Sequence, residues 1–267
     1  MNTNDSNFFM MPFLLGPISK QYNPTYQEIE VVVFQYLTEP EAIAALLPQC
    51  YQPSKQSYVT VAYQASNGVD FLAGNDYRLF MIAVGARFKG EEHQIEGGYV
   101  LVMFENSTIP IMLGRERLGI PKIYADITSI RLLENSHLRC EASLFGHLLF
   151  GFDLGPSFKK QNSLIRKAAS GLSSKQPLLG YKHIPATSFN DPPDVDYPTV
   201  YFNDYAFDEL WLGKTGSLYF GDPHVDDIRF YSPIIDALKT LPVNEVARVS
   251  RARGSMIIRN DKSYRLR

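Results

Sequence analysis

Short apolar runs separated by turn residues dominate the hydrophobic pattern of this chain. The runs are rich in Val, Ile, Tyr and Phe, a composition typical of β-strands. Residues 124–130 alternate between apolar and polar side chains, which favours a strand with one face in water. The pattern predicts strands at residues 28–37, 58–64, 77–88, 97–104, 108–113, 124–132, 137–144, 147–154, 178–184, 200–203, 209–212, 217–220 and 255–259.

Helices are predicted to be few and short. Thr38 and Glu41 have the spacing of a capping box with Thr38 as the N-cap, so we expect a helix to begin there and to end before Pro48. The other two helices are predicted at residues 163–172 and 233–241.

Together these segments predict a mainly β fold with a few short helices. Strands this numerous, without regular strand–helix alternation, favour an antiparallel sheet closed or nearly closed into a barrel. Phe145-Gly146 is expected to form a tight hairpin turn. We expect a single domain over residues 1–267. Residues 155–176 and 186–198 are interpreted as surface excursions of it, with a lid or a subunit contact as the alternative.

The N-terminal arm, residues 1–22, contains the apolar run 8–15. This run is short, includes Pro12 and follows Asn and Asp instead of Lys or Arg, so a signal peptide is not expected. We interpret it as an arm that docks on its own fold or on a neighbouring subunit. No stretch reaches the ~18 uninterrupted apolar residues of a spanning helix, so no membrane partner is expected.

Composition narrows the function classes. The formal net charge of −2 gives no reason to expect nucleic acid or an acidic membrane as a partner. Cys50 and Cys140 are the only cysteines, too few for a disulfide framework or a cysteine zinc site, which favours a cytoplasmic location. The five histidines are scattered without ligand spacing, so no metal site is expected.

Residues 114–122, Gly-Arg-Glu-Arg-Leu-Gly-Ile-Pro-Lys, carry the strongest chemical signal. Lys122 follows a proline at the end of a charged turn, with apolar runs on both sides. A lysine that points into an apolar interior loses hydration, its pKa falls, and the neutral amine becomes a nucleophile toward ketones. Gly119 and Pro121 are expected to fix the backbone that leads to Lys122.

This segment resembles the Gly-Arg-Glu…Gly-x-Pro-Lys segment of the acetoacetate decarboxylase family, and the likeness extends to residues 37–48, 99–106, 209–211 and 241–246. The resemblance implies a cone-like antiparallel β-barrel, a homo-oligomer and no cofactor. It also implies that Lys122 forms a Schiff base with β-keto acids.

Three positions depart from the family pattern. A second lysine is replaced by Ile123, residues 28–30 supply no arginine for the substrate carboxylate, and Arg78 lies where the family has a glutamate. Ile123 could still contribute apolar wall to the substrate site, provided that it faces the same cavity as Lys122. The guanidinium groups near the segment are those of Arg78, Arg87, Arg115 and Arg117, and we expect Arg78 or Arg87 to bind the carboxylate instead.

The remaining charged residues of the segment supply a second set of candidates. Glu116 is expected to orient Arg115 or to move protons, and a structural ion pair of these two residues is the alternative. The sequence thus predicts a lyase that decarboxylates a small β-keto acid, acetoacetate being the leading candidate. A Schiff-base aldolase or dehydratase on the same fold, and a non-catalytic binding barrel, remain alternatives.

Overall fold

The computed structural model describes residues 7–134 and 136–267. Its strands are β1 (Asn7–Met10), β2 (Leu15–Ser19), β3 (Thr25–Leu37), β4 (Tyr51–Pro53), β5 (Tyr58–Val69), β6 (Tyr77–Lys89), β7 (Gln94–Glu105), β8 (Lys122–Tyr124), β9 (Asp126–Ile127), β10 (Arg131–Leu132), β11 (Leu138–Leu144), β12 (His147–Leu154), β13 (Lys159–Lys160), β14 (Leu178–Ile184), β15 (Val195–Tyr201), β16 (Asn203–Gly213), β17 (Gly216–Phe220), β18 (Glu245–Ile258) and β19 (Tyr264–Arg265).

The helices are short. They are α1 (Pro40–Ala44), α2 (Thr108–Leu113), α3 (Ser163–Lys175) and α4 (Ser232–Lys239), with 3-10 turns at Asp70–Leu72, Asp226–Tyr231 and Asn260–Lys262 and a π-helical turn at Gly114–Leu118. The predicted mainly β fold with few helices is confirmed.

The strands form three sheets. In the largest, the order is β13-β16-β18-β3-β5-β6-β7-β14-β15-β19, with β4 added beside β6 and β8 beside β7. A five-stranded sheet combines β9 to β12 with β17, and β1 pairs with β2. Within the described residues, β13 and β19 end the large sheet without pairing to each other, so the predicted closed barrel is not confirmed. The sheet is also not wholly antiparallel, because β7 runs parallel to both β8 and β14.

The two faces of the large sheet pack against different partners. Successive side chains on a strand point to opposite faces. Phe80 of β6 faces the five-stranded sheet, where its ring centroid lies 4.9 Å from that of Phe150. Leu79 and Met103 belong to a second, separate cluster on the opposite face. Lys122 pairs with Met103 in register, and this second cluster contains the candidate site described below.

The largest error of the sequence prediction is at Thr108–Leu113, which forms helix α2 and not a strand. A short β-branched apolar run does not by itself distinguish a buried strand from a buried helix. Pro110 lies in the first helical turn, where its missing N–H has no partner to lose. Tertiary packing therefore decides the conformation of this run.

Smaller differences occur at helix α1 and after β8. The N-cap of α1 is Glu39 and makes no side-chain capping bond, so the capping box at Thr38 is wrong. The backbone N–H of Thr38 instead donates to the carbonyl of Ser57, which keeps Thr38 extended. The single strand predicted at 124–132 is divided among β8, β9 and β10. The hairpin is confirmed, with positive φ at both Phe145 and Gly146.

The described part of the N-terminal arm folds back as the hairpin β1–β2, and residues 1–6 lie outside the described residues. The guanidinium of Arg117 lies over the Phe8 ring, 4.8 Å from its centroid. The arm therefore docks on its own fold. Among the described residues, none of the helices has the length and apolarity needed to cross a membrane.

Candidate active site

The backbone that leads to Lys122 changes from helical to left-handed to extended conformation within a few residues. Helix α2 runs directly into the π-helical turn Gly114–Leu118, and such turns are frequent at functional sites. Gly119 ends this turn with φ 70° and ψ 26°, a left-handed conformation that glycine adopts without steric cost. The expectation that Gly119 shapes the approach to Lys122 is confirmed. After Pro121 the chain enters β8, parallel to β7.

The side chain of Lys122 is buried, with 6% of its surface exposed. Its Nζ lies 2.8 Å from Oε1 of Glu105 and donates a hydrogen bond to the carbonyl oxygen of Pro110 at 3.0 Å. These two contacts fix the amine at one point. A lysine on a solvated strand start, the ordinary role of a Pro-Lys pair, would have neither contact.

Gly114 makes room for that side chain. A Cβ added at Gly114 would lie 2.5 Å from both Cδ and Cε of Lys122 and 3.0 Å from Nζ. These separations are shorter than any ordinary carbon–carbon contact. The first residue of the Gly-Arg-Glu segment is therefore a glycine because the lysine side chain passes across it.

Glu105 is a site residue that the sequence analysis did not identify. It is the last residue of β7, its side chain is fully buried, and burial raises the pKa of its carboxyl group, an effect that Lys122 opposes. Its Oε2 has no hydrogen-bond partner among the described residues. The available signal was a glutamate that directly continues the apolar run 99–104, where a charge is costly unless it is paired.

Lys122 lies in the wall between two cavities. The larger has a volume of about 370 Å³, and the smaller, about 70 Å³, is lined on the sheet side by residues such as Tyr77, Met103 and Tyr201. Lys122, Tyr26, Ile120 and Ile258 line both. The larger cavity is lined further by residues of the arm and of helix α2, among them Phe8, Met10, Leu15, Ile18, Ile109 and Met112.

Arg117 supplies a second cation to the larger cavity. Burial lowers the pKa of its guanidinium, and its Nε is buried without a hydrogen-bond partner. Its Nη2 donates to the carbonyl oxygen of Lys20 at 3.5 Å, and no carboxylate pairs with it among the described residues. A guanidinium in this state can bind a carboxylate on two parallel hydrogen bonds.

Arg115 and Glu116 lie beside the site and not at the amine. Nη1 of Arg115 donates to the backbone carbonyl of Lys122 at 2.9 Å, so it holds the lysine backbone. Oε2 of Glu116 accepts a 3.5 Å hydrogen bond from the backbone N–H of Met11 in the arm. Arg115 therefore contacts the backbone carbonyl of Lys122, and the Glu116 side chain contacts the arm.

Arg78, Arg87 and Ile123 do not line either cavity. The guanidinium of Arg78 lies 3.8 Å from Asp76, and Arg87 is opposite Glu96 in the pairing of β6 with β7. Ile123 follows Lys122 on β8, so it points to the other face and packs against the core that contains Phe80. The condition set for Ile123, that it share the cavity of Lys122, is not met.

Within residues 7–134 and 136–267, no group of three or more His, Cys, Asp or Glu side chains has a metal-binding arrangement. The charged groups assembled at this site are the amine of Lys122, the carboxyl group of Glu105 and the guanidinium of Arg117. An amine nucleophile, an adjacent proton acceptor and a carboxylate receptor are the groups needed for imine chemistry on a keto acid.

Comparison with known proteins identifies the family of this chain. The family model described as acetoacetate decarboxylase matches residues 10–262. Acetoacetate decarboxylase 1 of Bradyrhizobium diazoefficiens is 34% identical over 191 residues, which cover 69% of this chain and 68% of that protein.

Two solved structures share the fold. The crystal structure of acetoacetate decarboxylase from Legionella pneumophila has a TM-score of 0.74 at 21% identity and covers 100% of this chain and 98% of that chain. The enduracididine biosynthesis enzyme MppR, complexed with the condensation product of pyruvate and imidazole 4-carboxaldehyde, has a TM-score of 0.68 at 16% identity. The match covers 99% of this chain and 98% of that chain. The family resemblance inferred from residues 114–122 is confirmed: this chain belongs to the acetoacetate decarboxylase family.

Proposed function

We propose that this protein is a carboxy-lyase in which Lys122 forms a Schiff base with a small β-keto acid, acetoacetate being the leading candidate, with acetone and CO2 as products. The observation that carries the proposal is the buried amine of Lys122 in the wall of a 370 Å³ cavity. Family membership and the curated relative named acetoacetate decarboxylase 1 support the same reaction class.

Schiff-base formation needs an amine without its extra proton. Oε1 of Glu105, 2.8 Å from Nζ, is the group in reach of that proton, and burial favours the protonated form of its carboxyl group. The free amine adds to the keto carbon of the substrate to give a carbinolamine. Glu105 returns the proton to the hydroxyl group, water leaves, and the iminium remains.

The iminium then accepts the electron pair of the bond that breaks. Cleavage between the carboxylate carbon and the α-carbon releases CO2, and the electron pair becomes the double bond of an enamine. Protonation of the α-carbon regenerates an iminium, and addition of water releases the ketone and the amine of Lys122. No external oxidant or reductant is needed.

Arg117 is proposed to receive the substrate carboxylate, in place of Arg78 or Arg87. Its guanidinium lines the same cavity as Lys122 and lacks a carboxylate partner among the described residues. Holding the carboxylate places the keto carbon at the amine, which converts the attack into a reaction between positioned groups.

A Schiff-base aldolase or dehydratase is the second candidate. The same iminium of a keto acid, after loss of an α-proton, is an enamine that can attack an aldehyde. The fold neighbour MppR is complexed with a condensation product of pyruvate and an aldehyde, and the volume of the larger cavity leaves space for a second reactant. A non-catalytic binding protein is the third candidate, and it would give no covalent adduct.

The test is reductive trapping of the imine. The protein is incubated with acetoacetate or with pyruvate plus an aldehyde, reduced with borohydride and digested, and the mass gain is mapped to a peptide. We expect the adduct on Lys122, together with CO2 release from acetoacetate. An adduct accompanied by a condensation product and no CO2 would favour the aldolase. An unmodified Lys122 with every keto acid would leave only the binding protein.

The matched variants control for folding. Lys122→Met alone leaves the buried carboxylate of Glu105 without its cation, a change that costs about 3–5 kcal/mol of stability when a buried pair is broken. Lys122→Met combined with Glu105→Gln removes both charges and should fold. Lys160→Met changes a lysine with 61% of its side chain exposed. This variant should form the trapped adduct with acetoacetate, and it should release CO2 as the wild type does.

We also propose a homo-oligomer. The tip of the arm hairpin exposes Met11, Phe13 and Leu14, with 72%, 62% and 76% of their surfaces accessible. Large apolar side chains grouped in this way are typical of surfaces that contact another protein. Sedimentation of the wild type and of Leu14→Glu tests this: the variant should have the smaller mass if the tip forms the contact.

A further inference from the structure

We infer that the natural substrate is a β-keto acid whose chain beyond the keto carbon is extended and apolar. This inference rests on the proposed function and specifies its substrate class. Acetoacetate ends in a single methyl group beyond its keto carbon, whereas the cavity at Lys122 has a volume of about 370 Å³. Cavities of this size are typical of sites for considerably larger organic ligands.

The lining of the cavity separates into a polar and an apolar part. The cationic groups are Lys122 and Arg117, and they suffice for the keto group and the carboxylate. Much of the remaining wall consists of apolar side chains from three separate segments: Phe8, Met10, Leu15 and Ile18 from the arm, Phe71, and Met112 from helix α2. A substrate that used only the two cations would leave this wall without a partner.

An empty apolar cavity is costly. Apolar walls do not hold ordered water well, and the lining side chains lose the dispersion contacts that a ligand would supply. The arm supplies part of this wall, because Met10 and Phe8 both line the cavity and the Phe8 ring lies against the guanidinium of Arg117. An alkyl or aryl chain that starts at the keto carbon would fill this space and remove its own surface from water.

The smaller cavity does not supply an alternative position for the chain. Its volume is about 70 Å³, and tyrosines 26, 77, 201 and 205 are among its lining residues. The hydroxyl groups of Tyr26 and Tyr77 already form a 3.0 Å hydrogen bond with each other. The chain therefore extends into the larger cavity, toward the arm.

The test uses a homologous series of β-keto acids: acetoacetate, β-oxohexanoate and β-oxooctanoate. Each is trapped on the wild-type protein with borohydride, and kcat/KM for CO2 release is measured. We expect kcat/KM to rise about fourfold for each methylene until the cavity is full, which is the factor given by the transfer of one methylene out of water. A non-reactive series of the same chain lengths, butanoate, hexanoate and octanoate, should inhibit with the same dependence on chain length.

A substitution that fills the cavity supplies the structural control. In Met112→Trp, the ratio of kcat/KM for β-oxooctanoate to that for acetoacetate should fall at least about tenfold, since a single methylene can be worth that factor in a tight pocket. Leu132→Trp adds the same side chain at a residue that is 71% exposed, and it should leave the ratio unchanged. If Met112→Trp does not fold, the inhibition series on the wild type still tests whether affinity rises with the length of the apolar chain.

The outcomes separate the inference from the proposed function. Trapping of acetoacetate on Lys122 with a kcat/KM that is flat or falls along the series overturns the inference and leaves the lyase in place. Trapping that fails with every keto acid overturns both. A rise along the series that Met112→Trp abolishes supports the extended apolar substrate.

Discussion

The amine of Lys122 and the carboxyl group of Glu105 lie 2.8 Å apart on neighbouring parallel strands, where the Glu105 side chain is fully buried. Parallel pairing places Lys122 opposite Met103, and Glu105, two residues further along β7, projects from the same face. Two groups that would each be expensive to bury alone are thus buried together, and Lys122 also lines the two cavities.

Glu105→Gln should change how stability depends on pH. Burial raises the pKa of Glu105 above its ordinary value of 4.5. The folded protein therefore holds this proton more strongly than the unfolded chain, and the stabilisation is complete below pH 4.5 and lost as the pH rises through the raised value. The slope from this one proton is at most about 1.4 kcal/mol per pH unit.

Urea unfolding of the wild type and the variant over this range measures the effect. The free energy of unfolding of the wild type, relative to Glu105→Gln, should fall as the pH rises from 4.5. Glu41→Gln, at an exposed position of helix α1, should retain the wild-type slope. If the free energy of unfolding depended on pH in the same way for the wild type and Glu105→Gln, that result would contradict a raised pKa of Glu105.

Gly114→Ala should reduce activity strongly without unfolding the protein. The added Cβ would lie 2.5 Å from Cδ and Cε of Lys122, so the amine must leave its position beside Glu105. The backbone at Gly114 is already helical, with φ −68° and ψ −43°, and alanine is favourable there. The expected result is a loss of borohydride trapping of at least about tenfold, or ~1.4 kcal/mol.

Gly171 in helix α3 provides the matched control. A Cβ at Gly171 would meet nothing within 4 Å. Gly171→Ala should therefore raise stability by about 1 kcal/mol, the difference in helix propensity, and leave trapping unchanged. If Gly114→Ala traps acetoacetate as well as Gly171→Ala does, the close passage of the lysine side chain is unimportant for the amine.

Arg117→Met should weaken binding of the carboxylate and leave the amine intact. We expect KM for acetoacetate to rise about tenfold or more, because a charge-assisted bidentate hydrogen bond is lost. The discriminating measurement is trapping with acetone, which has the keto group and no carboxylate, and which should react equally with wild type and variant. Arg131→Met, at a side chain that is 54% exposed, should change neither reaction. An equal loss of trapping with acetone would show that Arg117 stabilises the structure of the site and does not bind the carboxylate.

Phe145→Asn should stabilise the hairpin between β11 and β12. Phe145 has φ 51° and is 73% exposed, so its ring gains little from burial while its backbone is in the left-handed region. Asparagine tolerates that region, and Asn-Gly is the preferred sequence for such a turn. A gain of about 1 kcal/mol corresponds to a rise in Tm of about 2–4 °C. Phe145→Val should lower Tm, because a β-branched residue is strained at positive φ.

Prediction from sequence succeeded where the signal is local. The apolar run of β6 and the Phe145-Gly146 turn depend on neighbouring residues only, and each was identified from them. The chemical signal at Lys122 was also local, since a glycine-rich charged turn followed by Pro-Lys is contained in nine residues. The run at Thr108–Leu113 failed because its helical state depends on packing outside the run.

The partners of Lys122 could not be inferred in the same way. Glu105 lies 17 positions before Lys122 in the printed sequence and reaches it only because β7 and β8 pair in parallel. Arg78 and Arg87 were chosen over Arg117 because the sequence does not show which guanidinium lines the cavity. The docked arm places the Phe8 ring against the guanidinium of Arg117, and this contact joins segments that are far apart in the chain.

The sequence by itself determined a β-rich chain and the family motif that ends at Lys122, because strand periodicity and turn composition act between near neighbours. Only the tertiary structure decided which carboxyl group meets the amine, which arginine enters the cavity and how large that cavity is. These properties depend on strand register, on which face of the sheet each side chain occupies, and on contacts between segments distant in the chain. A shift of one residue in the pairing of β8 would put Ile123, and not Lys122, at the cavity.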